Sequence, residues 1–345
     1  MKENIKVLIV DDAAFMRKAI ADVLSRDPQI EIVGTARNGL EGLEAIKTLD
    51  PDVITLDIDM PVMDGLTGIR HIMIESPVPI VVLSSLFTDG AITFDALRLG
   101  VVDFIPKPSG AVSTDIEKSQ RHLIDRIKIA SSVNLANIRR VRLENWDIND
   151  HLAARYGYAQ LDYLLALGTT LSGPNTVIRL LSNLPPRLPA AVVVVQEISP
   201  KIIKAFADQF DASVPWHVRV AEDGMPLEQG SCYISSYERP FRIQPHAQGG
   251  ACLKQADDDA TPLDLLFSSA AAVFHQNTVG VLLTGIGEDG ARGFAQIREH
   301  QGVTLAQDTQ CCVYPNLTHH AITHGTVDIV LDEVKLPEAI ASLMT

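Results

Sequence analysis

The apolar run Lys6-Val7-Leu8-Ile9-Val10 ends at Asp11-Asp12, and the run Asp52-Val53-Ile54-Thr55-Leu56 ends at Asp57. A continuous apolar, β-branched run reads as a strand buried on both faces. Between and after these runs, helical and strand patterns alternate. Phe15–Leu24 has helical spacing, Ile30–Val33 is a second strand, and a helix runs from about Gly39 to Leu49. Pro79–Leu83 and Val102–Ile105 supply a fourth and a fifth strand. Strands separated by helices imply right-handed crossovers and a parallel sheet.

In an open parallel sheet, ligands bind beyond the carboxyl ends of the strands. Asp11, Asp12 and Asp57 fall there, and such carboxylates repel one another unless a cation joins them. A hard divalent ion with oxygen ligands, most simply Mg²⁺, meets that demand. Lys107 follows the fifth strand and can pair with Asp57 or with an oxyanion placed on it. Ser84, after the fourth strand, offers a hydroxyl. A carboxylate nucleophile, Mg²⁺, lysine and hydroxyl together suit phosphoryl transfer onto an aspartate.

A helix is expected from roughly Ser113 to Ile129, so the first domain is placed at 4–125, a linker at 126–159 and a second domain at 160–345. The linker is polar and carries a small basic cluster, Arg139-Arg140-Val141-Arg142, read as a solvated segment or a helix docking on acidic surfaces. The second block repeats the α/β pattern. Tyr163–Leu167 runs into Gly168, and Ala190–Val195, Val279–Leu283, Val303–Leu305 and Val327–Leu331 are further strands. A helix spans about Pro200–Phe210. The stretch Asp223–Pro262 is turn-rich, with room for short antiparallel strands. The fold class is therefore α/β, a parallel sheet followed by a second doubly wound domain.

Composition excludes several functions. At 345 residues, 46% hydrophobic and 21% charged, the chain can bury two cores without disulfides. Its 29 basic against 43 acidic residues give a net charge of −14, which repels nucleic acid and anionic lipid. The segment after Met1-Lys2-Glu3-Asn4 is too short for a signal-peptide core, and the aliphatic stretch Ala190–Val195 could not span a bilayer. The expectation is a cytoplasmic protein without membrane insertion. Cys232, Cys252, Cys311 and Cys312 form no C-x-x-C pair and read as small buried thiols in a reducing compartment.

Residues 5–110 resemble a two-component receiver domain, which implies a flavodoxin-like parallel sheet for the first domain. The motifs are Leu8-Ile9-Val10-Asp11-Asp12, Leu56-Asp57-Ile58-Asp59-Met60-Pro61-Val62-Met63-Asp64-Gly65 and Lys107-Pro108. The resemblance implies that Asp57 is the phosphoacceptor, that Asp12 binds Mg²⁺ directly with Asp11 nearby, and that the Asp59 carbonyl completes the shell. It also implies that Ser84 and Phe104 are the switch pair and that a histidine kinase is the phosphodonor. Phosphorylation would then bias a bistable element through a local charge.

Residues 162–343 resemble the catalytic domain of the chemotaxis methylesterase CheB. The matches are Ala166-Leu167-Gly168, Val195-Gln196, Val220-Ala221-Glu222-Asp223-Gly224, Asp264-Leu265-Leu266-Phe267, Leu283-Thr284-Gly285-Ile286-Gly287-Glu288-Asp289-Gly290-Ala291 and Ala306-Gln307. That family hydrolyses methyl-glutamyl esters and deamidates glutamines on chemoreceptors with a Ser-His-Asp triad. Carried over residue by residue, the serine falls on Thr170, the histidine on Glu197 and the aspartate on Asp289. Ile286, Gly168 and Gly173 fall on the loops that border the oxyanion. Leu171-Ser172-Gly173, Ala260-Thr261-Pro262 and Asn316-Leu317-Thr318 also depart from the family's pocket loops.

A hydroxyl needs a base to become a nucleophile, and imidazole titrates near pH 6.5, against about 4.3 for a solvated glutamate. Thr170 adds a methyl at a crowded turn and stiffens χ1. Ser172 stands two positions late, and His319 and His320 are expected to face outward on a helix. The first reading is a phosphorylation-switched CheB-like regulator of chemosensory signalling whose hydrolase site has decayed and which binds a receptor or signalling adaptor. The second is an active, divergent protein-glutamate methylesterase and glutaminase. A transcriptional regulator is excluded, because the second half carries no basic recognition helix.

Overall fold

The computed structural model describes residues 4–84, 90–107, 114–138, 161–247, 249–256 and 261–344. Two compact units divide at Arg140 and Val141. The first contains β1 (Ile5–Val10), α1 (Ala14–Leu24), β2 (Ile30–Ala36), α2 (Gly39–Leu49), β3 (Val53–Leu56), α3 (Gly65–Glu75), β4 (Ile80–Ser84), α4 (Gly90–Leu99), β5 (Asp103–Pro106) and α5 (Thr114–Ala130). Its strands are parallel in the order β2-β1-β3-β4-β5. Chain order reverses between β1 and β3, which opens a crevice beyond their carboxyl ends.

All five expected strands are present, with ends shifted by a residue or a few. Helix α5 carries this unit past residue 125, because Leu123, Ile127 and Ala130 form a buried apolar stripe along it. The basic cluster at 139–142 lies outside the described residues, as do Pro108 and Ala260.

The second unit contains β6 (Tyr163–Gly168), α6 (Gly173–Ser182), β7 (Ala190–Gln196), α7 (Ile203–Asp211), β8 (His217–Val220), β9 (Ser231–Ser236), β10 (Phe241–Pro245), β11 (Ala251–Gln255) and α8 (Pro262–Phe274). It continues with β12 (Thr278–Leu282), α9 (Ala291–Glu299), β13 (Val303–Gln307), α10 (Asn316–Thr323), β14 (Ile329–Leu331) and α11 (Leu336–Leu343). Seven strands form a parallel sheet in the order β14-β13-β12-β6-β7-β9-β8, and β10-β11 is a separate antiparallel pair. Leu263, Leu266, Phe267, Ala270 and Ala271 line one face of α8 at helical spacing and are fully buried. Phe267 packs on Phe294 of α9, ring centroids 4.7 Å apart.

One part of the turn-rich reading of 223–262 needs correction. It holds the expected antiparallel pair, but also β9, a parallel strand buried along its whole length. Its serines disguise it. Ser235 donates to the Arg239 carbonyl at 3.0 Å and Ser236 to the Ile198 carbonyl at 2.6 Å, so the hydroxyls are satisfied inside the core. Among the described residues no helix is long and apolar enough to cross a membrane.

Candidate functional site

Register builds the first crevice. Val10 pairs with Leu56, so Asp11 and Asp57 leave adjacent strands side by side. Both are buried, whereas Asp12 and Asp59 are exposed. Lys107 Nζ lies 2.7 Å from Asp11 Oδ2 and 2.7 Å from Asp57 Oδ2. The other oxygen of Asp57 accepts from Ile58 N at 2.8 Å. Arg17, which the sequence reading passed over, donates to the carbonyls of Asp11 and Asp12 at 2.8 and 3.0 Å and holds the acidic turn in place. Gly65 is forced by this packing, since a Cβ there would stand 2.3 Å from the Asp57 carbonyl.

One oxygen from each of Asp11, Asp12 and Asp57 lies within 4.8 Å of the others. An all-oxygen anionic set of this kind fits a hard divalent cation. The Asp59 side chain is not part of that group. Ser84 is buried at the end of β4, and its carbonyl accepts from Lys107 N at 3.1 Å, which places it at the same edge. Phe104 is half-buried on β5, opposite Val82.

Burial raises the Asp57 pKa, Lys107 opposes the rise and the Asp11 charge adds to it. Burial works against the Lys107 charge, but its bonds to Asp11 and Asp57 outweigh that and leave its pKa raised. The sign for stability follows. A carboxyl that binds its proton more tightly when folded favours folding at low pH and loses that contribution as pH rises through its folded pKa. Asp57→Asn is therefore expected to melt higher than wild type in magnesium-free buffer at neutral pH, with the gap closing under acid. A gain of about 1 kcal/mol would raise the midpoint by about 3–5 °C in a domain of this size. A lower midpoint for the variant would contradict the assignment.

The second crevice opens where chain order reverses between β6 and β12. Thr170, just past β6, is buried. Its Oγ1 donates to the Ile286 carbonyl at 3.0 Å and accepts from Ile286 N at 2.7 Å. The approach requires Gly285, where a Cβ would stand 2.4 Å from Thr170 Oγ1. Of the three loop residues, only Ile286 points an N–H at the Thr170 hydroxyl. The N–H of Gly173 is spent on the Thr170 carbonyl at 3.1 Å, and the Gly168 carbonyl accepts from Leu283 N. Glu197 is exposed just beyond β7. His319 is exposed and His320 half-buried, and neither bonds Thr170 or Asp289.

Residues 7–114 match the model of the response regulator receiver domain, and residues 165–340 match that of CheB methylesterase. A protein-glutamate methylesterase/protein-glutamine glutaminase of Geobacillus kaustophilus is 38% identical, over 99% of this chain and 99% of that one. The chain belongs to the CheB methylesterase family. A protein of the same description from Pyrococcus abyssi is 34% identical over 98% of this chain and 93% of its own length. The crystal structure of the Thermotoga maritima CheB methylesterase catalytic domain is 29% identical. It covers 52% of this chain and 98% of its own, with a TM-score of 0.49.

Within this CheB-type chain, two features escaped sequence reasoning. Tyr237, just past β9, donates its phenol to Asp289 Oδ2 at 2.9 Å. Burial, then the Asp289 charge, pushes the phenol pKa far up, so it stays a donor at any ordinary pH. The second is a reciprocal cap. Asp289 accepts from Leu263 N at 2.8 Å and Asp264 N at 2.9 Å, at the start of α8. Asp264 in turn accepts from Gly290 N at 3.0 Å and Gly293 N at 2.8 Å, at the start of α9. Each carboxylate satisfies orphan N–H groups of the other's helix. No local pattern signals either feature, since both join segments far apart in sequence.

Proposed function

We propose that this chain is a phosphorylation-switched, CheB-type response regulator of chemosensory signalling whose hydrolase half acts by binding a chemoreceptor or signalling adaptor. The observation that carries the reading is the state of Asp289. It accepts from Tyr237 Oη, Leu263 N and Asp264 N, and none of these is an imidazole. Thr170, at the serine position of the family, has its hydroxyl paired both ways with Ile286, and Glu197 stands at the histidine position. A carboxylate there is a weak proton acceptor at neutral pH and cannot alternate as a cationic acid beside Asp289.

In the first unit Asp57 acts as the nucleophile toward a phosphodonor, a histidine kinase of the same system. Asp11, Asp12 and Asp57, with the Asp59 carbonyl, would hold Mg²⁺, which would neutralise phosphoryl charge. Lys107 pairs with the oxyanion formed on Asp57, and Ser84 and Phe104 follow it as the switch.

A second reading, an active divergent methylesterase and glutaminase, is favoured by the relatives of that description that align over almost the whole chain. Methanol release from methylated receptor separates the two. The pseudoenzyme reading expects no turnover above Thr170→Ala, phosphorylated or not. Thr170→Ser alone should recover little, since the hydroxyl still lacks a base. Glu197→His should need Tyr237→Phe beside it, because the phenol holds Asp289 Oδ2. A wild-type rate clearly above Thr170→Ala selects the active enzyme instead.

A further inference from the structure

His320 lies on α10 and His324 caps the helix's carboxyl end one turn on, with ring centroids 4.1 Å from each other and planes tilted by 44°. The i,i+4 spacing puts both imidazoles on one face. His324 Nδ1 stands 2.8 Å from the His320 carbonyl. A carbonyl only accepts, so Nδ1 carries the proton and the lone pair is left on Nε2. His320 Nδ1 is buried without a hydrogen-bond partner, so that nitrogen is not committed to a structural bond. His320 Nε2 lies 3.9 Å from Glu288 Oε2. All three side chains line a cleft of about 480 Å³. Arg292 lines it too, but its Nε is held by Asp264 at 2.8 Å.

We propose that His320, His324 and Glu288 form a site for a divalent transition-metal ion, with Zn²⁺ as the probe. Two imidazoles and a carboxylate are a zinc donor set that leaves a fourth position for water. An imidazole whose second nitrogen donates to a backbone carbonyl has the outer-shell bond typical of metal-binding histidines. The donor chemistry separates this site from the first unit, where oxygen alone suits Mg²⁺. Metal binding requires Glu288 to swing toward His324, since His320, His324 and Glu288 are not drawn together as tightly as Asp11, Asp12 and Asp57. Glu288 is 79% exposed, so its side chain can reorient while the turn stays held by the Gly287 N–H bond to Asn316 Oδ1 at 2.7 Å. Glu288 also lies between Asp289 and the Ile286 turn that holds Thr170. A bound ion would thus add to the bonds from Gly287 N to Asn316 Oδ1 and from Leu317 N to the Gly285 carbonyl that already join α10 to the loop closing the second crevice.

The test is calorimetric titration of Zn²⁺ into the full chain with Mg²⁺ in excess. One saturable site is expected, weakened about tenfold or more by His320→Ala and by His324→Ala. Co²⁺ should give visible absorption in wild type that the double variant loses. Glu288→Ala, at an exposed position, covers the case in which the helix variants fail to fold, and it must weaken binding as well. Absence of saturable Zn²⁺ binding by wild type overturns the site. So does unchanged affinity in a folded double variant or in Glu288→Ala.

Discussion

Radiolabel from a small-molecule phosphodonor, supplied with Mg²⁺, is expected on the wild-type chain and not on Asp57→Asn. The carboxylate oxygen that Lys107 holds at 2.7 Å becomes part of an amide, which is a poor nucleophile at neutral pH. Removing a nucleophile outright costs about 10⁶ in the subtilisin case, so loss to background is the expected reading. Asp11→Asn is a useful companion. It keeps the nucleophile but removes one charge from the group of three, so labelling should fall and require more Mg²⁺. Label retained fully in Asp57→Asn would remove Asp57 from its role and with it the proposed switch.

Asp264→Ala is expected to destabilise the second unit strongly. The substitution strips the acceptor from Gly290 N and Gly293 N, both in buried residues, and from Arg292 Nε. Each buried N–H left unpaired costs about 1–3 kcal/mol, so the two together give a total of roughly 2–6 kcal/mol. Denaturant titration of the second unit's transition measures it. Asp264→Asn keeps one acceptor oxygen and should cost about half as much. Asp289→Ala should destabilise in the same way, because Asp289 caps α8 whether or not the crevice hydrolyses anything. A midpoint for Asp264→Ala within about 0.5 kcal/mol of wild type would mean that water replaces the carboxylate, and the reciprocal cap would lose its importance.

That cap bears on how the hydrolase positions are read. On the proposed reading Thr170 and Glu197 replace the family's serine and histidine while Asp289 stands at its aspartate, and a triad alone gives no reason for the difference. The bonds to Leu263 N and Asp264 N supply one, since losing the carboxylate would expose the start of α8. Tyr237 adds a further acceptor demand on Asp289 Oδ2.

The first crevice was legible because its signals are local. Each aspartate closes an apolar run, and strand ends in a parallel sheet share one edge, so Asp11, Asp12, Asp57, Ser84 and Lys107 could be gathered before any coordinates. Most of the second sheet was legible for the same reason, through runs such as Ala190–Val195. β9 was not, since a strand with serines at its start and end looks like a turn until Ile198 and Arg239 supply its hydroxyls with acceptors. The family resemblance singled out Thr170, Glu197 and Asp289 one by one, as expectations. Only tertiary structure decided what each touches. Thr170 meets Ile286 because β6 and β12 are neighbours, though 116 positions separate the two residues. Tyr237 reaches Asp289 across 52 positions and Asp264 caps Gly290 across 26. Periodicity reports burial along one element, whereas a hydrogen-bond partner is set by which elements the fold brings together.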